Sequence, residues 1–160
     1  VARKFADRRT GASVHTKLGF RTRDIEREDW ALSVTTERAL ALVSKAIAAG
    51  KDQNCGIAAV VTDIAGNIIV AARMDGVGHI NTEVARKKAL AAANFGMPTA
   101  DVVEAVSRDP FAKPVVMSDP AINILPGGIP IKENDKTVGA LGVAGGHYLQ
   151  DRAIAEFAMG

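Results

Sequence analysis

The residues best suited to chemistry fall into a few small groups. Lys87 and Lys88 are adjacent in an alanine-dense run from Ala85 to Phe95. On a helix they point about 100° apart, so at most one of them faces a cleft beside a sheet. A partly buried lysine there can lose its proton and serve as a base or form a Schiff base; a solvated or ion-paired lysine is the plainer alternative. Arg73, Met74 and Asp75 leave a β-branched run together. Arg73 suits a ligand carboxylate, because its planar fork donates two parallel hydrogen bonds, or it pairs internally with Asp75 or another acid. Gly145-Gly146 precedes the last helical segment, where backbone N–H groups can approach an anion, or it is simply a tight turn. His147 follows and is either an exposed cap or an anion-binding or metal-binding imidazole. His79 is the other weak metal candidate, and together the two histidines would make a two-imidazole site. Lys88, Asp75 and His147 are thus the acid/base candidates. No P-loop, nucleophile elbow or dinucleotide fingerprint is present, and no His/Cys pair has zinc spacing.

These groups need a scaffold, and the pattern predicts one. Thr35-Thr36-Glu37 opens a helix to Ala49 with Leu40, Val43, Ala46 and Ile47 on one face, and Gly50 stops it. Ile57 to Thr62 and Ile68 to Ala72 flank the turn-forming Asp63 to Asn67 and read as a β-hairpin. Asn81 or Thr82 caps a helix through Phe95, ended by Gly96 and Pro98. Thr99 caps a further helix, Ala100 to Val106. Val115-Val116 reads as extended. Pro126-Gly127-Gly128 turns the chain into Ile129 to Lys132, and Glu133 to Lys136 leads into the strand Thr137 to Val143. A last helix, Tyr148 to Met159, is expected to pack Leu149, Ala153, Ile154 and Phe157. Short turns between strand pairs favour antiparallel pairing, hence a single α+β domain: an antiparallel sheet with helices packed on it.

Composition sets limits. A chain of 160 residues is one domain's worth, long enough to bury about two-thirds of its unfolded surface. Aromatic residues are only 4%, so aliphatic side chains and alanine must fill the core. Cys55 is the single cysteine and forms no internal disulfide, which fits a cytoplasmic thiol. No apolar run approaches the roughly 18 residues of a membrane span. Residues 1–23 carry seven Lys/Arg against one acid, a net +6, while the other 137 residues hold thirteen against seventeen, a net −4. Residues 1–34 therefore read as a basic arm, and 35–160 as the domain. The arm could be a leader, a strap across a neighbouring subunit or a poorly ordered terminus. Its charge comes without aromatic interleaving or a known nucleic-acid module, which argues against a nucleic-acid partner.

The segment Lys88-Ala89, Ala92, Phe95, Pro98-Thr99 resembles the KA-x-x-A-x-x-F-x-x-PT core of the GlcG/HbpS-like family of haem-binding and haem-degrading-domain-like proteins. Asp63 to Asn67 with Ala72 to Gly76, and Gly127 to Ile131 with Val138 to Gly146, follow in the family's order from Thr35 onward. The chain is also similar to the C-terminal domain of corrinoid adenosyltransferases of the PduO type. Some of those relatives use a first-helix histidine; Thr35 to Ala49 has none. The resemblance implies a homo-oligomeric small-molecule-binding protein. Its ligand would be haem, another tetrapyrrole or another planar anion, held between Phe95 to Thr99, Arg73 and the glycine turns Gly127-Gly128 and Gly145-Gly146. It implies Thr99 as a haem-iron contact, with Phe95 and Met97 as apolar walls. Two other functions stay open: an enzyme working by acid/base chemistry on a small carboxylated or oxygenated metabolite, and an accessory protein of a catabolic operon.

Overall fold

The computed structural model describes residues 33–160. Nine elements run in the order α1 (Thr36–Asp52), β1 (Ala58–Asp63), β2 (Ile68–Arg73), α2 (Ile80–Phe95), α3 (Thr99–Ser107), α4 (Ala112–Ser118), β3 (Gly128–Glu133), β4 (Lys136–Ala144) and α5 (Tyr148–Met159). The basic arm lies outside the described residues except for its last two. Of those, Val34 is buried in the main core.

The strands form one sheet in the order β2-β1-β4-β3, with every neighbouring pair antiparallel. The expected α+β architecture is what the chain adopts. Asp63 closes the first hairpin by accepting from the backbone and side-chain amides of Asn67, each at 2.9 Å. Asn134 and Asp135 close the second, both at positive φ, as a two-residue hairpin requires.

Alternation along the central strands divides the core between two layers. Ala59, Val61, Leu141 and Val143 face α1 and α5. Val60 and Ala144 face Ala85, and Ala140 faces Ala89, Ala92 and Ala93, all on α2. The alanines let α2 lie close on the sheet. Gly142 goes further, because a Cβ there would collide with the Ala85 carbonyl. The low aromatic content is thus matched by a thin, alanine-filled contact.

Several local expectations change. Val115 and Val116 are helical, within α4. Asp109 accepts from the N–H groups of Phe111 and Ala112 and so nucleates the turn, while Pro114 occupies the first turn, where no intrahelical bond is lost. Local capping outweighs β-branching there. In α1, Leu40 is exposed and Leu42 is buried. In α5, Leu149, Ala153 and Phe157 face outward, while Asp151, Ile154, Ala155 and Ala158 face the core. Small residues win that face because α5 packs against both α1 and the sheet. At the start of α2 neither Asn81 nor Thr82 caps; His79 holds the cap position and its side chain makes no capping bond.

Candidate functional site

Lys88 sits on the sheet-facing side of α2 and is only 2% exposed. A lone ammonium in that position would be costly. Asp151, from the first turn of α5, supplies the counter-charge, with Oδ2 at 2.7 Å from Nζ. Nζ also donates to the Val143 carbonyl at 3.0 Å. The second oxygen of Asp151, Oδ1, accepts from the Gly146 N–H at 3.0 Å. Burial pushes the Lys88 pKa down, and the hydrogen bond and charge of Asp151 only partly offset it. Gly127 permits this convergence. Its φ is +126°, and a Cβ would fall 2.7 Å from the Val143 carbonyl and 3.0 Å from Lys88 Nζ.

The pair borders a cleft of about 290 Å³ lined by Asn81, Val84, Lys88, Leu125, Ala144 to Tyr148 and Asp151. At the rim, exposed His147 caps α5. Its Nδ1 accepts from the Leu149 N–H at 3.4 Å, and its own N–H donates to Gln150 Oε1 at 3.1 Å. That leaves Nε2 as its remaining coordinating atom. The His147 and Tyr148 rings lie 4.1 Å apart between centroids. Cys55 is buried beside Gly146, whose ideal Cβ would be 2.5 Å from its Sγ. Desolvation raises the Cys55 pKa, and the nearby Asp151 charge raises it further. Leu125 is shared with an apolar trough of about 280 Å³ formed by Val116, Met117, Ile122, Asn123 and Ile124.

The structure therefore gathers Lys88, Gly145, Gly146 and His147, with Gly127 behind the lysine. It separates the others. Arg73 and Asp75 line a second cleft of about 290 Å³ with Ile47, Lys51, Ala72 and Met74. Arg73 makes no ion pair with Asp75; it donates to the Val77 carbonyl. Phe95 and Met97 are each 39% exposed and line neither cleft nor the trough.

Thr99 is fully buried and is not a cap; Pro98 holds that position. Its hydroxyl donates to the Leu125 carbonyl at 3.0 Å and accepts from the Gly128 N–H at 2.9 Å. An iron contact at Thr99 would require giving up bonds that hold the Leu125–Gly128 loop. Likewise the Gly146 and His147 N–H groups are engaged by Asp151 and Gln150, so the glycine turn does not offer those two to an anion. His79 is exposed and outside the cleft lining, and no group of three or more His, Cys, Asp or Glu among the described residues is placed to hold a metal ion.

Asp151 is the residue that sequence reasoning missed. A signal was present: it falls on the apolar stripe of Ile154, Ala155 and Ala158, where an acid demands a buried partner.

Sheet, helices on both faces and a cleft at the strand ends define a small single-domain α+β protein with a built polar centre. The chain belongs to the HbpS-like family, described as "Haem degrading protein HbpS-like", which it matches over residues 34–159. It is 30% identical over 129 residues to an uncharacterised 15.0 kDa protein from the dhaT–dhaS intergenic region of Citrobacter freundii, covering 80% of this chain and 88% of that one. The crystal structure of HbpS superposes with a TM-score of 0.72 at 27% identity, over 79% of this chain and 87% of that one. The haem complex of PduOC shares the fold, with a TM-score of 0.67 at 22% identity, over 79% of this chain and 93% of that one. No helix among the described residues is long and apolar enough to cross a membrane.

Proposed function

We propose that this protein binds a small organic ligand in the cleft beside Lys88, and that haem or a related tetrapyrrole is the ligand to test first. The observation that carries the reading is a pair of neighbouring cavities. A trough at Val116, Met117, Ile122 and Ile124 shares Leu125 with the Lys88 cleft, which has an exposed imidazole at its rim. Each is close to the lower bound, roughly 300 Å³, of ordinary ligand sites, so together they suit a planar amphipathic molecule. The family's description as haem degrading supports the same class.

The residues fit a haem at two points. The trough would supply apolar contact, and His147 Nε2 would hold the iron, as an imidazole commonly does. Neither cavity is lined by an unpaired cation among the described residues, so carboxylate arms would point to solvent. A bound haem would supply redox and oxygen chemistry at iron; this chain's residues would bind, orient and shield it. The reading includes a homo-oligomer in the cytoplasm, supported by the exposed Phe111, Val115 and Phe157, and by the single buried thiol.

Haem titration of the purified protein, with light scattering on the same samples, tests this. Wild type should give a saturable Soret band, His147→Ala should shift or abolish it, and Thr99→Val should leave its position unchanged in whatever protein stays folded. No Soret band, or one indifferent to His147, would sink the tetrapyrrole reading.

A second reading, acid/base chemistry on a small oxygenated metabolite, is favoured by the depressed Lys88 pKa beside a cleft. Its residues would be Lys88, Asp151 and His147; Asp75 belongs to the other cleft.

A further inference from the structure

An ammonium group carries three N–H donors. Lys88 uses two, one on Asp151 Oδ2 and one on the Val143 carbonyl. With the side chain 2% exposed, bulk water does not serve the third, and among the described residues no further protein acceptor bonds to Nζ. A buried donor left unmade is expensive, more so when it is charged. Lys88 also lines the cleft, walled there by Gly145 and Gly146 and bounded behind by the missing side chain of Gly127. The third donor is thus left for an oxygen that enters the cleft, from a ligand or from water.

We propose that this oxygen is the carbonyl oxygen of a small, uncharged ketone, aldehyde or amide. The inference rests on the reading of this cleft as the ligand site and names the chemistry of the ligand's inner end.

Three features select that class. The charges of Lys88 and Asp151 already cancel, and both oxygens of Asp151 accept hydrogen bonds. A second carboxylate on the same ammonium would meet the first in a poorly solvated site, where like charges repel strongly. An alcohol would bring a donor of its own, which would have to share an acceptor already in use, the Val143 carbonyl or an Asp151 oxygen. A carbonyl oxygen accepts and donates nothing, and its alkyl substituents can lie on Val84, Leu125 and Ala144, the apolar part of the lining. Haem carboxylates are accordingly excluded from the inner end, in keeping with a tetrapyrrole held at the rim.

The test compares three probes of similar size on the isotopically labelled full chain: butanone, the isosteric anion propanoate, and 2-butanol. Backbone amide signals of Gly145, Gly146 and His147 are followed by NMR. Butanone should shift them saturably, with an apparent Kd at least tenfold below that of either other probe. Propanoate binding as well as butanone, or a response that does not saturate, would overturn the assignment and leave water as the third partner. Lys88→Met alone strands Asp151 and can unfold the chain. The paired variant Lys88→Met with Asp151→Asn keeps the site neutral and retains an acceptor for the Gly146 N–H. It should lose the butanone response with amide dispersion intact; a retained response would show that Lys88 is not the donor. Should this variant fail to fold, the wild-type probe series decides alone. The haem titration remains separate. A Soret band without butanone selectivity defeats this proposal only, and selectivity without a Soret band defeats the tetrapyrrole reading only.

Discussion

Two clefts of equal volume, about 290 Å³ each, border this sheet with nearly the same inventory: basic residues, an aspartate and apolar walls. At the Arg73 cleft the strand is β2, at the sheet edge, and both Arg73 and Asp75 are exposed. Among the described residues the guanidinium there is held by the Val77 carbonyl, four residues away in its own loop. At the Lys88 cleft the strand is β4, in the sheet interior, and α2, β4, α5 and the Gly127 turn meet at one ammonium. The residue types are alike; the solvent is not. Water screens the first set almost completely, while exclusion of water makes every bond of the second consequential.

The largest test of that contrast is Lys88→Met. Removing one partner of a buried ion pair strands the other, so urea unfolding should show a loss of about 3–5 kcal/mol. A loss near zero would put Lys88 in the same class as Arg73 and dissolve the comparison. Thr99→Val comes next. It preserves shape but orphans the Gly128 N–H and the Leu125 carbonyl, which should cost about 1–3 kcal/mol in the same experiment. That result would extend the rigid region to the loop shared by cleft and trough. The smallest effect belongs to Arg73→Ala, which should stay within roughly 0.5 kcal/mol of wild type by thermal or urea melts. A larger loss would mean that the edge cleft is also a built site.

Much of the architecture is legible because it depends on short-range chemistry. Asp63 and Asn67 mark a turn by residue type, Gly96-Met97-Pro98 ends a helix, and β-branched runs bounded by turn residues mark strands, of which β1 is buried on both faces. Faces were harder to read. Leu149 and Phe157 look like core in a helical count, yet α5 turns its small residues inward because two layers approach it closely. The site was legible in half. Lys88 and the glycine turns stand out locally, but the partner of Lys88 is 63 residues away, and nothing in its own neighbourhood announces the pairing. Thr99 shows the reverse error: a residue type and position that suit a cap serve a distant loop instead.

The bond between α2 and α5 also has a place in time. The two helices pack on opposite faces of the sheet, so the bond joins them around its end. It cannot form until β4 has been laid between β1 and β3 and both helices have docked in register. A contact that needs so much prior order is expected to form after the rate-limiting step of folding, and a φ-value near 0 for Lys88→Met would show it. The lysine would thus act as a latch: the chain reaches its native topology at nearly the same rate without it, and leaves it much sooner.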